Sequence, residues 1–215
     1  CSTRRPAAEA RGWLVATTIC VLGLALLTAP DLAGGGSVAG LVLALGAGLC
    51  IAGYNVAAKL QLASFERFGT AGWEAFERAA AAAADAGLLV IADAKRGDVA
   101  ITSRAYAEAF LRPPIDALTV NPSLGGDALA PFLEAATAEG RGLFALVRTS
   151  NPGAAELQDL RLASGGLWHE EVARRVAGWG AASVDGSGLS ALGAVVGATV
   201  AERLAALREL MPHQP

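Results

Sequence analysis

Beyond residue 58 the chain alternates short continuous apolar runs with longer mixed segments, a rhythm that predicts buried strands separated by helices. Thr70 to Ala86 is rich in alanine, carries Trp73, Phe76 and Glu77, and reads as a helix that Gly87 ends as its C-cap. Leu88 to Ala92 (LLVIA) reads as a strand of the buried, parallel kind. A helix over Thr102 to Leu111 stops at Pro113-Pro114, and the next strand, Ile115 to Val120, is broken by Asn121-Pro122. Helix Gly126 to Ala138, strand Gly142 to Val147 and the turn Ser150-Asn151-Pro152-Gly153 follow. Gly165 to Gly178 reads as a helix with Glu170 and Glu171 on its starting side and Arg174 and Arg175 at its end, which suits the helix dipole. A strand at Leu192 to Val196 and a helix from Thr199 to Leu210 complete the pattern. Alternation of this kind implies a parallel sheet with right-handed crossovers.

Upstream the pattern is different. Trp13 to Pro30 and Val38 to Ala58 are two apolar runs, and Asp31 is the only charged residue between Gly12 and Ala58. Each run approaches the ~20 residues needed to cross a bilayer. Arg4, Arg5 and Arg11 precede the first, as the positive-inside tendency places them. Gly40, Gly46, Gly48 and Gly53 would let two such helices approach closely. The break in composition divides the chain into a hydrophobic helical segment, 1–55, and an α/β part, 56–215. Membrane association is therefore expected to involve 13–58, with packing of the two helices on each other or on a soluble domain as the alternative. Residues 1–55 resemble an internal piece of the drug/metabolite transporter superfamily; two helices cannot make such a carrier, so transport is not implied.

Composition narrows the chemistry. A net charge of −3 provides no broad basic surface, so nucleic acid is not an expected partner. The three cysteines, Cys1, Cys20 and Cys50, have no metal-ligand spacing, and the two histidines, His169 and His213, are far apart. No metal is expected. Neither GxGxxG nor GxxxxGK[ST] opens a helix, so no nucleotide cofactor is expected either.

Polar residues cluster just after the predicted strands: Asp93, Lys95 and Asp98 after one, Asn121 after another, Ser150 and Asn151 after a third. A (β/α) barrel and an open doubly wound sheet both place their chemistry at that edge. Asp93-Ala94-Lys95-Arg96-Gly97-Asp98 puts two carboxylates and an ammonium group within one hexapeptide. Asp93 and Lys95 lie two apart on an extended strand, so they are expected to point the same way. A lysine held between carboxylates is kept charged and aimed, which suits proton transfer to carbon. By spacing alone, a solvated loop of mixed charge would look the same.

The run LVIADAKRGDVAITSRAYAEAFL resembles the D-x-K-x-x-D signature of the orotidine 5′-phosphate decarboxylase family, with Thr102 four residues after Asp98. KLQLASFERFGTAGWEAFE from Lys59, NPSLGGDALAPFLEAA (121–136), ALVRTSNPGA (145–154) and GAVVGAT (193–199) are similar to further family segments in the same order, most of all in the bacterial DAKRGD-type branch. Ala100 departs from the Gly or Pro usual there. The resemblance implies a partial TIM (β/α) barrel with about five of the eight βα units, preceded by the two hydrophobic helices. It also implies decarboxylation of orotidine 5′-phosphate in the cytoplasm, without cofactor or metal. Lys59, Asp93, Lys95 and Asp98 correspond to a catalytic Lys-Asp-Lys-Asp array. Lys95 would protonate the carbon that loses CO₂, Asp93 would face the departing carboxylate, and Lys59 would hold Asp93 and touch the ribose hydroxyls. Asp98 and Thr102 would reach into a partner subunit's site, implying a homodimer. Ser150 would bind the pyrimidine, and Asn121 is assigned with it to substrate. The family's first strand and its last two, which carry the phosphate grip, have no counterpart here, so the polypeptide by itself is expected to be weakly active or inactive. Two alternatives stay open: a Mg²⁺-dependent sugar-phosphate decarboxylase or aldolase of the same barrel group, and a non-catalytic membrane-anchored or chimeric fragment.

Overall fold

The computed structural model describes residues 57–197 and 201–215. The chain divides into two units, Cys1–Ala58 and Lys59–Pro215. The two expected N-terminal helices, their transporter-like character and the proposed span over 13–58 lie outside the described residues, save Ala57 and Ala58, which open the first strand. Among the described residues no helix is long and apolar enough to cross a membrane.

The elements in chain order are strand β1 (Ala57–Gln61), helices α1 (Ala63–Glu66) and α2 (Gly69–Asp85), β2 (Leu89–Arg96), α3 (Ala100–Phe110), β3 (Ala117–Val120), α4 (Gly126–Ala138), β4 (Gly142–Arg148), α5 (Ala154–Gln158), α6 (Trp168–Gly180), β5 (Leu192–Val196) and α7 (Ala201–Leu210). The strands form one five-stranded sheet in the order β1-β2-β3-β4-β5, parallel from β2 to β5. An open doubly wound sheet reverses its strand order at a switch point, whereas a (β/α) barrel adds each strand beside the last. The order seen here does not reverse, so the sheet is an arc of a barrel.

The reason for each element is local. In α2 the alanine run favours the helix, and Gly87, at φ +79°, lets the chain leave it while the Gly87 and Leu88 amides donate to the Ala84 and Ala83 carbonyls. β3 (ALTV) is buried along its whole length, as a central parallel strand requires. Val90 and Ala92 of β2 and Leu143, Ala145 and Val147 of β4 join the core with Phe76, Phe110, Phe132, Val176 and Leu207 from the helices. The alternate residues Ile91, Phe144 and Leu146 are only half-buried, so the helices cover one face of the sheet. Truncating the fully enclosed Phe132 to Ala would cost about 3–5 kcal/mol.

Three expectations need correction. The turn after β4 continues into the short helix α5, because the Ala154 amide donates to the Asn151 carbonyl and starts a helical turn. Helix α6 begins at Trp168 and not at Gly165: Gly165 and Gly166 both have positive φ and form a turn, and the Glu170 carboxylate accepts from the Leu167 amide at the helix start. Arg174 and Arg175 consequently sit in mid-helix, where they pair with Glu171 and do not serve the C-terminal dipole.

Candidate active site

The hexapeptide 93–98 does not follow its strand; β2 continues through Arg96. Nor is the strand regular there. Between Ala92 and Arg96 the register against β3 shifts, with Ala92 beside Leu118 but Arg96 beside Val120. Lys95 stands at φ +50°, a left-handed conformation that costs an L residue about 1–2 kcal/mol. The Lys95 amide accordingly leaves the ladder and donates to Thr119 Oγ1 at 3.0 Å. The ladder resumes where the Asn121 amide donates to the Arg96 carbonyl at 2.7 Å. Gly97 follows of necessity, since a Cβ there would lie 2.5 Å from the Asn121 carbonyl oxygen. Simple alternation therefore does not explain why Asp93 and Lys95 meet. The bulge re-aims Lys95, a role such irregularities often have beside reaction centres.

Asp93 is the hub. It is 6% exposed, and its Oδ1 accepts from Lys95 Nζ at 2.6 Å and from the Thr119 hydroxyl at 2.9 Å. Lys59 Nζ, delivered by β1, lies 3.2 Å from Oδ2. Burial by itself raises the Asp93 pKa; hydrogen bonds from Lys95, Thr119 and Lys59 outweigh it and hold the carboxyl below its ordinary range. The lysines are 57% and 45% exposed, so both ammonium groups remain reachable from solvent. A fixed anion with two accessible proton-bearing cations can orient a substrate and deliver a proton to it.

Four expected site residues lie around this centre. Asp98 follows β2; its Oδ1 accepts from the Val99 amide at 2.7 Å, just before α3, and its carbonyl accepts from the Ser103 hydroxyl at 2.8 Å. Thr102 lies in the first turn of α3, half-buried. Asn121 closes β3, with Oδ1 accepting from the Ser123 amide (3.1 Å) and hydroxyl (2.7 Å). Ser150 is exposed beyond β4, and Gly197 packs against it so closely that a Cβ would fall 2.9 Å from Ser150 Cα. Asp98, Asn121 and Ser150 follow the C-terminal ends of β2, β3 and β4, and Thr102 lies one helical turn further on, but only Lys59, Asp93 and Lys95 are drawn into direct contact.

Thr119 was not legible as a site residue, although a lone hydroxyl in the buried run ALTV is the signal that could have found it. Also beyond the sequence reading is the cluster at the end of β4. Arg148 Nε and Nη2 grip Asp159 Oδ1 and Oδ2 at 3.0 and 3.1 Å, with His169 Nδ1 at 3.1 Å and Arg203 Nη1 at 3.5 Å from Oδ1. The Arg148 hydrogen bond, foremost, lowers the Asp159 pKa. Among the described residues no group of three or more His, Cys, Asp or Glu side chains is placed to hold a metal ion.

Residues 50–212 match the model of the family described as orotidine 5′-phosphate decarboxylase / HUMPS. The orotidine 5′-phosphate decarboxylase of Rhodopirellula baltica is 43% identical over 171 residues, 76% of this chain and 56% of the relative. That of Halorubrum lacusprofundi is 46% identical over 144 residues, 67% of this chain and 48% of the relative. The chain thus spans about half the length of the curated relatives it matches. Among solved structures, the Leishmania donovani OMP decarboxylase superposes with a TM-score of 0.63 at 36% identity, covering 73% of this chain and 58% of that one. A non-reversing parallel arc, a lysine-flanked aspartate at its C-terminal edge and a family match across most of the chain lead to one conclusion: this chain belongs to the orotidine 5′-phosphate decarboxylase / HUMPS family.

Proposed function

We propose that this chain carries the reaction centre for decarboxylation of orotidine 5′-phosphate to uridine 5′-phosphate, and that it belongs to the bacterial DAKRGD-type branch and works in the cytoplasm. The observation that carries the reading is the buried Asp93 carboxylate bracketed by Lys59 and Lys95 at the C-terminal edge of the sheet. In the reaction the bond from pyrimidine C6 to the carboxylate breaks, its electron pair stays on C6, and neutral CO₂ leaves. The Lys95 ammonium gives its proton to C6 and is reprotonated from solvent, with which it is in contact. Asp93 faces the substrate carboxylate, so that repulsion present in the bound substrate disappears as CO₂ forms. Lys59 fixes Asp93 and reaches the ribose hydroxyls. Thr119 holds both the Asp93 carboxylate and the Lys95 backbone.

Ser150, exposed and at the same edge, contacts the pyrimidine. Asn121, with its side-chain oxygen already satisfied, offers its NH₂ to substrate. Asp98 and Thr102 serve the site of a second copy in a homodimer, a reading supported by their apolar neighbours Val99 and Ile101, 55% and 82% exposed.

The test is the loss of orotidine 5′-phosphate absorbance with the purified chain and with Lys95→Ala in parallel. Slow turnover that vanishes in the variant is expected. Equal rates in both would sink the role of Lys95, and no turnover in either would sink the activity of this chain.

A further inference from the structure

The β4–α6 connection carries the one proposed pyrimidine contact, Ser150, and is closed on itself by polar groups that take no part in the chemistry above. Arg148 stands immediately before the first part of this connection, loop 149–158, and Asp159 immediately after it. Their two-pronged ion pair therefore joins the loop's two ends, with Arg148 only 6% exposed. Inside the pair, the Thr149 amide donates to Gln158 Oε1 at 2.8 Å and Gln158 Nε2 donates to Thr149 Oγ1 at 3.0 Å. The Arg148 guanidinium also donates to the Thr149 carbonyl. Two further elements hold the loop's far end: buried His169 of α6 donates from Nδ1 to the Gln158 carbonyl at 2.7 Å, and Arg203 of α7 approaches Asp159. The Gly197 amide donates to the Arg148 carbonyl at 2.7 Å, and its backbone lies against Ser150. Among the described residues the Ser150 hydroxyl itself has no hydrogen-bond partner, so its donor is left for a ligand while the backbone on either side is held by the bonds above.

We propose that Arg148 and Asp159 are positioning residues, a staple across the ends of loop 149–158 that sets Ser150 for the pyrimidine before the nucleotide arrives. This rests on the decarboxylase reading above. Preorganisation of this sort improves affinity by removing an ordering cost from binding, and leaves the proton transfer at Lys95 untouched. A guanidinium suits the task better than an ammonium because its planar fork fixes direction as well as distance.

The experiment uses the full chain and uridine 5′-monophosphate as the probe. Its affinity is measured by calorimetry for the parent, Asp159→Asn, Ser150→Ala and the double variant. Amide hydrogen exchange is followed without nucleotide. Asp159→Asn is expected to speed exchange across 149–158 at least tenfold while β2 and β3 exchange as in the parent, and to weaken binding about tenfold, as loss of one well-placed hydrogen bond does. Ser150→Ala should weaken binding by a similar factor with the loop still protected. Because Asp159 acts through Ser150, adding Ser150→Ala to Asp159→Asn should change affinity less than about twofold, whereas a merely structural Asp159 gives additive losses. Additive losses, or a loosened loop with unchanged affinity, overturn the proposal. A parent that does not bind the probe overturns the decarboxylase reading and this role with it, an outcome separate from a binding parent whose Asp159 variant binds equally well.

Discussion

Asp93 and Asp159 are two aspartates in the same environment on paper, each shared among several cations at the C-terminal edge of one sheet, yet the partners they meet differ in kind. Asp93 is met by lysines that stay about half exposed; Asp159 is met by a buried arginine, with a buried histidine and a second arginine beside it. A lysine ammonium is a point charge on a flexible stem and can surrender its proton. An arginine guanidinium keeps its proton at any physiological pH and holds a carboxylate in a fixed plane. The first arrangement suits a reaction and the second suits architecture. The backbone agrees: the strain sits at Lys95, and the chain around Arg148 shows only a register shift against β5.

The largest effect that would break this comparison is at Lys95. Lys95→Ala and Lys95→Arg should both lower turnover of orotidine 5′-phosphate by about 10³-fold, within the range a positioned general acid supplies. Substantial activity in the arginine variant would mean that charge, and not a transferable proton, is what the position provides. Next comes Arg148→Lys, which replaces a two-pronged grip on Asp159 by a single contact. A loss of about 2 kcal/mol in urea unfolding is expected, with turnover altered less than at Lys95. An unchanged midpoint would show the guanidinium fork to be dispensable.

Thr119→Val should cost about 1–2 kcal/mol of stability, since it leaves the Lys95 amide without its acceptor and takes a donor from Asp93. Stability and turnover measured together sharpen the point: a fall in stability alone would make Thr119 a support for the strand and not for the lysine. The smallest effect is a pH dependence. Both aspartates have lowered pKa values in the folded state, so their stabilising contributions are fully present above the unfolded value of about 4 and are lost as pH falls through the folded values. The stability gap between the parent and Asp93→Asn should therefore narrow on acidification below about pH 4, and likewise for Asp159→Asn. A gap that widened on acidification would contradict the sign of both shifts.

Much of the fold was legible in the sequence because burial imposes periodicity. The apolar runs marked β2 to β5, Gly87 marked a helix end, and helix α4 lies at Gly126–Ala138 as its pattern predicts. The hexapeptide located the contact of Asp93 with Lys95, because clustered ionisable groups at a buried strand end are a signal that spacing carries. What periodicity could not carry was any arrangement of residues distant along the chain. That Lys59 meets Asp93 from a neighbouring strand was implied by resemblance alone. That Thr119 bridges Asp93 to the backbone of Lys95, and that Arg148, Asp159, His169 and Arg203 converge from four segments, was not visible at all.

The sequence by itself therefore determined where strands β2 to β5 and the long helices lie and where ionisable groups cluster, since both follow from side-chain chemistry and local spacing. Only the tertiary structure decided that β2 bulges at Lys95, that the sheet adds its strands without reversal, and that one aspartate is met by two half-exposed lysines while the other is met by a buried arginine. The physical reason is that strand register, shared hydrogen bonds and burial of a charge are properties of neighbours in space, and a linear pattern records neighbours along the chain.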